Sequence, residues 1–309
     1  MIKISFPAMG SFISVLMDTD SPTAHQKIAE VPSWFERWES IFSRFRSTSE
    51  LSFVNQNAGL PIHVSAVFLE VLQASLDAAS RSNGMVTPTL LRSLEFAGYN
   101  QYFDHIPRDQ VSFFASQSLG GSDYRSIQIN PDDSTILIPP DIQLDFGGIA
   151  KGWAAQQAAA QLADFAPALV NAGGDIAISG ALANGEPWII GIDDPFNPGE
   201  ERMQIKLFSG SVATSGKDRR RWHKNGYLQH HILNPFTGQP AQSDVWTATA
   251  VANNAVDAEM AAKTAVILGS RSGLTWINEK QDISAFLILD NGESLSSRKF
   301  QERFGGIHG

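Results

Sequence analysis

The chain has 309 residues, 43% hydrophobic and 18% charged, and no cysteine. Its 23 basic and 32 acidic residues leave a net charge of −9, which argues against a nucleic-acid partner, because sequence-independent binding to phosphates needs a net basic face. The missing cysteine excludes a thiol nucleophile, a thiolate zinc or iron–sulfur site, a disulfide framework and a thioether lipid anchor.

The amino terminus, Met1-Ile2-Lys3-Ile4-Ser5-Phe6-Pro7, alternates as a strand does and has no apolar stretch behind basic residues. No run approaches the roughly 18 apolar residues of a membrane span, so the sequence predicts a cytoplasmic protein without membrane insertion. A helix is predicted after Pro32, with Trp34, Phe35, Trp38, Ile41, Phe42 and Phe45 on its inward face. A second carries Val67, Phe68, Val71, Leu72, Leu76 and Ala79 and stops at Asn83-Gly84. The stretch 108–134 lacks periodicity and reads as a linker or an insertion between two lobes. Helices over 149–163 and 255–268 follow, with strands over 135–138, 168–171, 175–179, 188–193, 203–208, 245–252 and 285–289. Strands cluster in the second half without regular alternation with helices, which predicts an α+β fold rather than a doubly wound parallel sheet.

Chemistry concentrates in a few segments. Leu144-Asp145-Phe146-Gly147-Gly148-Ile149-Ala150-Lys151-Gly152 reads as a strand delivering a carboxylate, two glycines freeing the backbone, and a lysine in the first turn of a helix. Helix N-termini present unpaired N–H groups, so this corner suits a phosphate; an ordinary strand–turn–helix corner with a solvated lysine fits the same letters. Asn171-Ala172-Gly173-Gly174-Asp175 reads as a tight turn or a ligand contact, and Thr214-Ser215-Gly216 as a small polar turn able to give donors to an anion. The basic run Lys217 to Lys224 reads as a solvated loop, a partner surface or a phosphate clamp. His230 and His231 are adjacent, and neighbours on a strand face opposite ways, so one of them alone could face a cleft as a base.

Taken in order, these segments resemble the FAD:protein FMN transferase family, the ApbE-type flavin transferases. The matching positions are Met9-Gly10, Phe42 to Phe45, Ser49-Glu50-Leu51-Ser52 with Asn55, Gly84-Met85-Val86-Thr87-Pro88-Thr89, Asp145 with Gly148 to Gly152, Asn171 to Asp175, Thr214 to Gly216, His231-Ile232 with Pro235 and Thr237-Gly238, and Ala258 to Gly269. The resemblance implies a two-lobed mixed α/β architecture related to the tunnelling fold (T-fold-like), one domain over 1–309 with a variable segment near 108–134, and FAD between the lobes. It implies transfer of FMN from FAD to a Ser or Thr of an acceptor flavoprotein, with Mg²⁺ and release of AMP; an FAD pyrophosphatase and a flavin-binding protein without transferase activity are the alternatives. Its site residues map to His231, Lys151 and Asp145 as catalytic groups. Flavin-nucleotide contacts map to Met9, Phe45, Met85, Val86, Thr87, Asp145, Lys151, Gly173, Gly174, Asp175, Thr214, Ser215, Gly216 and Ile232. The metal ligands map to the Gly148 carbonyl and Glu259. Two positions depart from the pattern. Thr87 stands where the family has aspartate, and Lys263 stands four residues after Glu259 where the family has a threonine ligand; sliding the register to Asp257 leaves Ala261 there. Glu259 and Lys263 read either as a helix ion pair or as a place where an ammonium takes over part of a metal's task.

Overall fold

The computed structural model describes residues 1–111, 120–121 and 123–305. They form two compact units, one of Met1–Glu36, Lys151–Asp218 and the chain from Ser243 on, the other of Arg37–Ala150 and Arg219–Gln242.

The first unit is built on an eight-stranded sheet, antiparallel throughout. Its strands lie side by side in chain order: Ile2–Ala8, Ser11–Met17, Ala168–Ala172, Asp175–Ile178, Gly210–Gly216, Val245–Ala252, Ile283–Leu289 and Ser294–Ser296. Antiparallel neighbours can be joined by very short turns. Met9-Gly10 (φ 54° and 62°) and Gly173-Gly174 (φ 68° and 103°) do so with positive φ at both positions, the backbone that matches the right-handed twist of the flanking strands. Alternation sorts the two faces. Ile176, Ile178, Val212 and Val251 pack with the hairpin Trp188–Asp193/Glu201–Leu207 and with Phe300 and Phe304. The opposite face presents buried Ala177, Ala213, Ala248 and Ala250. Such small side chains let the alanine-rich helix Ala255–Leu268 lie directly on the strands.

The second unit contains three small sheets. Thr135–Leu137 lies between Pro61–His63 and Gln128–Asn130, Arg221–Lys224 lies between Tyr227–His230 and Asp109–Gln110, and Leu233–Asn234 pairs with Gln239–Pro240. Phe42 and Phe68 set their rings edge-on to Phe146, at 6.0 and 5.2 Å, in the apolar centre of this unit.

The mixed architecture with an antiparallel sheet is the α+β arrangement expected, and four local expectations change. The helix after Pro32 is Val31–Phe42, so Phe45 lies beyond it. Thr214-Ser215-Gly216 is the end of strand Gly210–Gly216 and not a turn, because each residue pairs with the neighbouring strand through Thr249, Ala248 and Thr247. Leu144 and Asp145 belong to no strand. The stretch 108–134 is no plain linker: Asp109–Gln110 and Gln128–Asn130 each join a sheet, while 112–119 and 122 lie outside the described residues.

Candidate functional site

In the second unit, the Ser49 to Asn55 segment builds the support for Asp145. Ser49 Oγ caps the helix Glu50–Gln56 through Ser52 N–H and donates to Ser43 C=O, while Glu50 accepts from the N–H and hydroxyl of Ser65. Asn55 is buried, and its amide makes both hydrogen bonds that a neighbouring strand would make: Leu144 N–H donates to Asn55 Oδ1 (2.7 Å) and Asn55 Nδ2 donates to Leu144 C=O (2.9 Å). A side chain thus holds the extended backbone that sequence periodicity reads as a strand.

Asp145 is fixed from three directions. Its N–H donates to Pro88 C=O, its Oδ1 accepts from Gly147 N–H (3.0 Å), and its Oδ2 lies 2.8 Å from Arg44 Nε. Arg44 is the residue that sequence reasoning missed. Its side chain is 6% exposed, its guanidinium lies over the rings of Phe45 and Tyr99 at 4.2 and 4.6 Å, and Nη1 donates to Tyr99 C=O. Stacking and directional donation together suit arginine and not lysine. Only its place beside Phe45 in the matched segment could have pointed to it. Phe45 packs on Tyr99 and Tyr102. Glu95 is exposed overall, yet desolvation of its carboxyl raises its pKa, with Arg44 pulling it down and Asp145 pushing it up.

Of the other expected contacts in this unit, Met85 and Thr87 are partly exposed, and the Thr87 hydroxyl lies 2.9 Å from that of Thr89. Val86 and Ile232 are buried at 4% and 1%, which confines any ligand contact of theirs largely to the backbone. His230 and His231 separate as alternation requires: His230 is buried with Nε2 3.2 Å from Ala241 C=O, and His231 is partly exposed. The corner at Gly147 to Ala150 is less vacant than expected, because Gly147 N–H is taken by Asp145 and both Ile149 and Ala150 N–H by Phe146 C=O. The basic run is no loose loop either. Trp222 is buried and donates to Ala97 C=O; Lys224 donates to Phe96 C=O, and burial lowers its pKa.

In the first unit, strand register brings several expected residues to one end of the sheet. The Met9-Gly10 turn lies beside Gly173-Gly174 because Ile13 pairs with Ala172, and a Cβ on Gly173 would collide with Ser11 Oγ. The start of strand Asp175–Ile178 sits at the same end, and Val212 pairs with Ile176, so the following residues up to Gly216 run on past that start. Thr214 is exposed, its hydroxyl 2.9 Å from that of Thr249.

Asp175 alternates with Ile176 and therefore points to the helical face, where Lys151 meets it in an ion pair. Lys151 Nζ is also 3.6 Å from Glu259 Oε1; all three side chains are largely buried, at 16, 5 and 4% exposure. Gly152 permits this closeness, since a Cβ there would stand 3.0 Å from Glu259 Oε2 and 3.2 Å from Ala255 Cβ. The helix start is pinned by Asn254, which caps Asp257 N–H, and by Gln156, which accepts from Ala255 N–H. Burial pushes the Glu259 carboxyl above its ordinary range and Asp175 adds to this, while Lys151, Lys263 and the Gly152 N–H oppose it.

These residues do not make a good divalent-cation site. Among the described residues no three His, Asp or Glu side chains converge on one point. The Glu259 carboxylate faces an ammonium, and the residue one turn on, Lys263, is a cation without a lone pair to give. Magnesium asks for near-octahedral oxygen ligands.

The model of the ApbE family matches residues 9–287. An FAD:protein FMN transferase of Treponema pallidum is 28% identical, the alignment covering 96% of this chain and 86% of that protein. One from Haemophilus influenzae is also 28% identical, with 94% and 88% covered. The crystal structure of the ApbE protein from Thermotoga maritima superposes with a TM-score of 0.87 at 23% identity, covering 98% of both chains. That of the Pseudomonas stutzeri flavinyl transferase ApbE gives 0.83 at 24% identity, with 98% and 96% covered.

Proposed function

Because the chain belongs to the ApbE family, we propose that it is an FAD:protein FMN transferase, which moves FMN from FAD to a Ser or Thr hydroxyl of an acceptor protein and releases AMP. The observation that carries this reading is the buried Lys151 ammonium, held between Asp175 and Glu259 at the sheet end where Gly173-Gly174 and Thr214 to Gly216 also lie. Phosphoryl transfer asks a protein chiefly for positioning and for charge opposite the phosphate oxygens, and the two carboxylates set the place of the Lys151 ammonium.

In this reading Lys151 and the donors of Thr214 to Gly216 take the diphosphate, with Met9, Gly173, Gly174 and Asp175 beside them. Phe45, Met85, Val86, Thr87, Asp145 and Ile232 serve the flavin nucleotide, and Arg44 keeps Asp145 oriented. The acceptor oxygen forms a bond to the FMN phosphorus, the bond from that phosphorus to the bridging oxygen breaks, and the bridging oxygen leaves on AMP. His231 takes the hydroxyl proton, the usual work of a partly exposed imidazole. Gly148 and Glu259 are the positions the resemblance gives to Mg²⁺; given their surroundings, no step here is routed through a metal. The cytoplasmic location expected from the sequence stays a separate proposal, which cell fractionation would test; among the described residues no helix is long and apolar enough to cross a membrane.

The test is incubation with FAD and a purified acceptor flavoprotein. A fluorescent band that survives denaturing electrophoresis, with AMP released in equal amount, is the expected result. AMP released at an unchanged rate without acceptor would make the chain a pyrophosphatase, and bound FAD with no AMP would make it a binding protein.

A further inference from the structure

The proposed reaction puts a doubly charged diphosphate where the Lys151 cluster lies, so the sign and source of charge there decide what else must bind. Asp175 and Glu259 contribute two negative charges and Lys151 one positive. Lys263 contributes a second positive charge. It lies one turn beyond Glu259 in the helix Ala255–Leu268, partly exposed on the side that Glu259 occupies, and its charge acts on the Glu259 carboxylate. With both carboxylates ionised, the four formal charges sum to zero. With a neutral hydroxyl at 263 the same group would carry one net negative charge and would invite a cation before it could accept a diphosphate. The neighbouring Thr264 does not restore that arrangement. Five residues beyond Glu259, it lies about 140° around the helix axis, and its hydroxyl is buried at 0% exposure.

We infer that Lys263 stands in for the divalent cation, so that this chain holds the FAD diphosphate with ammonium groups alone and binds FAD without metal. The inference rests on the transferase reading above, since it concerns the same residues. It gives Lys263 a role beyond its electrostatic influence on Glu259.

Calorimetric titration of FAD into the full chain, once in excess EDTA and once in millimolar MgCl₂, tests it by binding and not by turnover. Wild-type affinity is expected to agree within about twofold between the two conditions. Lys263→Thr, which restores a hydroxyl and the net negative charge, is expected to bind FAD about tenfold or more weaker in EDTA, with Mg²⁺ recovering most of the loss. Lys263→Met is expected to bind weakly in both, because it supplies neither charge nor donor. Wild-type binding that disappears in EDTA and returns with Mg²⁺ overturns the inference while leaving the transferase reading intact. Lys263→Thr binding as tightly as wild type in EDTA overturns it equally. A wild-type chain that ignores FAD in both buffers overturns the transferase reading and this inference with it. If Lys263→Thr does not fold, as seen by circular dichroism, the wild-type comparison still decides.

Discussion

Replacing Lys151 by methionine keeps most of the side-chain volume and removes its charge, leaving Asp175 and Glu259 facing each other in a buried place. At an effective dielectric constant of 20, the attraction between Lys151 Nζ and Glu259 Oε1 across 3.6 Å is about 4–5 kcal/mol, and the closer pair with Asp175 is at least as strong. Part of this returns as relief of the lysine's own desolvation, so the expected net loss is about 3–5 kcal/mol, the usual cost of removing one partner from a buried pair. The loss depends on pH. Burial and Asp175 already raise the Glu259 pKa, and without Lys151 it rises further, so at low pH the carboxyl escapes by taking a proton. The cost of Lys151→Met is therefore greater at a mildly alkaline pH than at a mildly acidic one. Urea denaturation at both pH values, with the slope checked for constancy, measures this. Adding Glu259→Gln to Lys151→Met should return about 1 kcal/mol or more at the higher pH, since the pair couples. A loss below about 1 kcal/mol at both pH values, with nothing returned by Glu259→Gln, would refute the buried cluster as described here.

Arg44→Met should cost about 3 kcal/mol in the same assay and weaken FAD binding, because it strands the Asp145 carboxylate at a nearly buried position. Gly152→Ala gains about 1 kcal/mol of helix propensity but forces a methyl against Glu259 and Ala255; a net loss of about 1–2 kcal/mol by thermal melting is expected. His231→Gln should lower turnover about 10²–10⁴-fold while calorimetry finds FAD affinity unchanged. Glu95 has a raised pKa in the folded chain, so between its ordinary and its raised value the native state holds a proton that the unfolded state has released. Stability therefore falls as pH rises through that window, and Glu95→Gln, neutral throughout, should gain on wild type as the pH is raised above the ordinary carboxylate range.

Periodicity and turn chemistry carried most of the local structure. Trp34, Phe35, Trp38 and Phe42 mark a helix because a 3.6-residue repeat buries one stripe, and they are buried in Val31–Phe42. The glycine pair at 173–174 marks a turn because its positive φ costs glycine little. Thr214-Ser215-Gly216 reads as a turn and folds as a strand end for the opposite reason. Small polar residues look like a turn, yet Ser215 is small because it faces the helical side of the sheet with Ala213, and Gly216 is bare because Thr247 and Trp246 leave no room for a Cβ. That pressure comes from a strand about thirty residues away and writes no local pattern. Leu144 shows the same limit, since its extended backbone depends on an amide 89 residues earlier in the chain.

The order of short motifs was enough to identify the family. How the charges of the matched residues meet was decided only by folding. Lys151, Asp175 and Glu259 are separated by 24 and 84 positions, and it is strand register and helix packing that bring them within ion-pair reach. Arg44 is a basic residue like its neighbours until burial and two aromatic rings fix it on Asp145. Electrostatic energies depend on distance and on exclusion of water, and both are properties of the packed molecule.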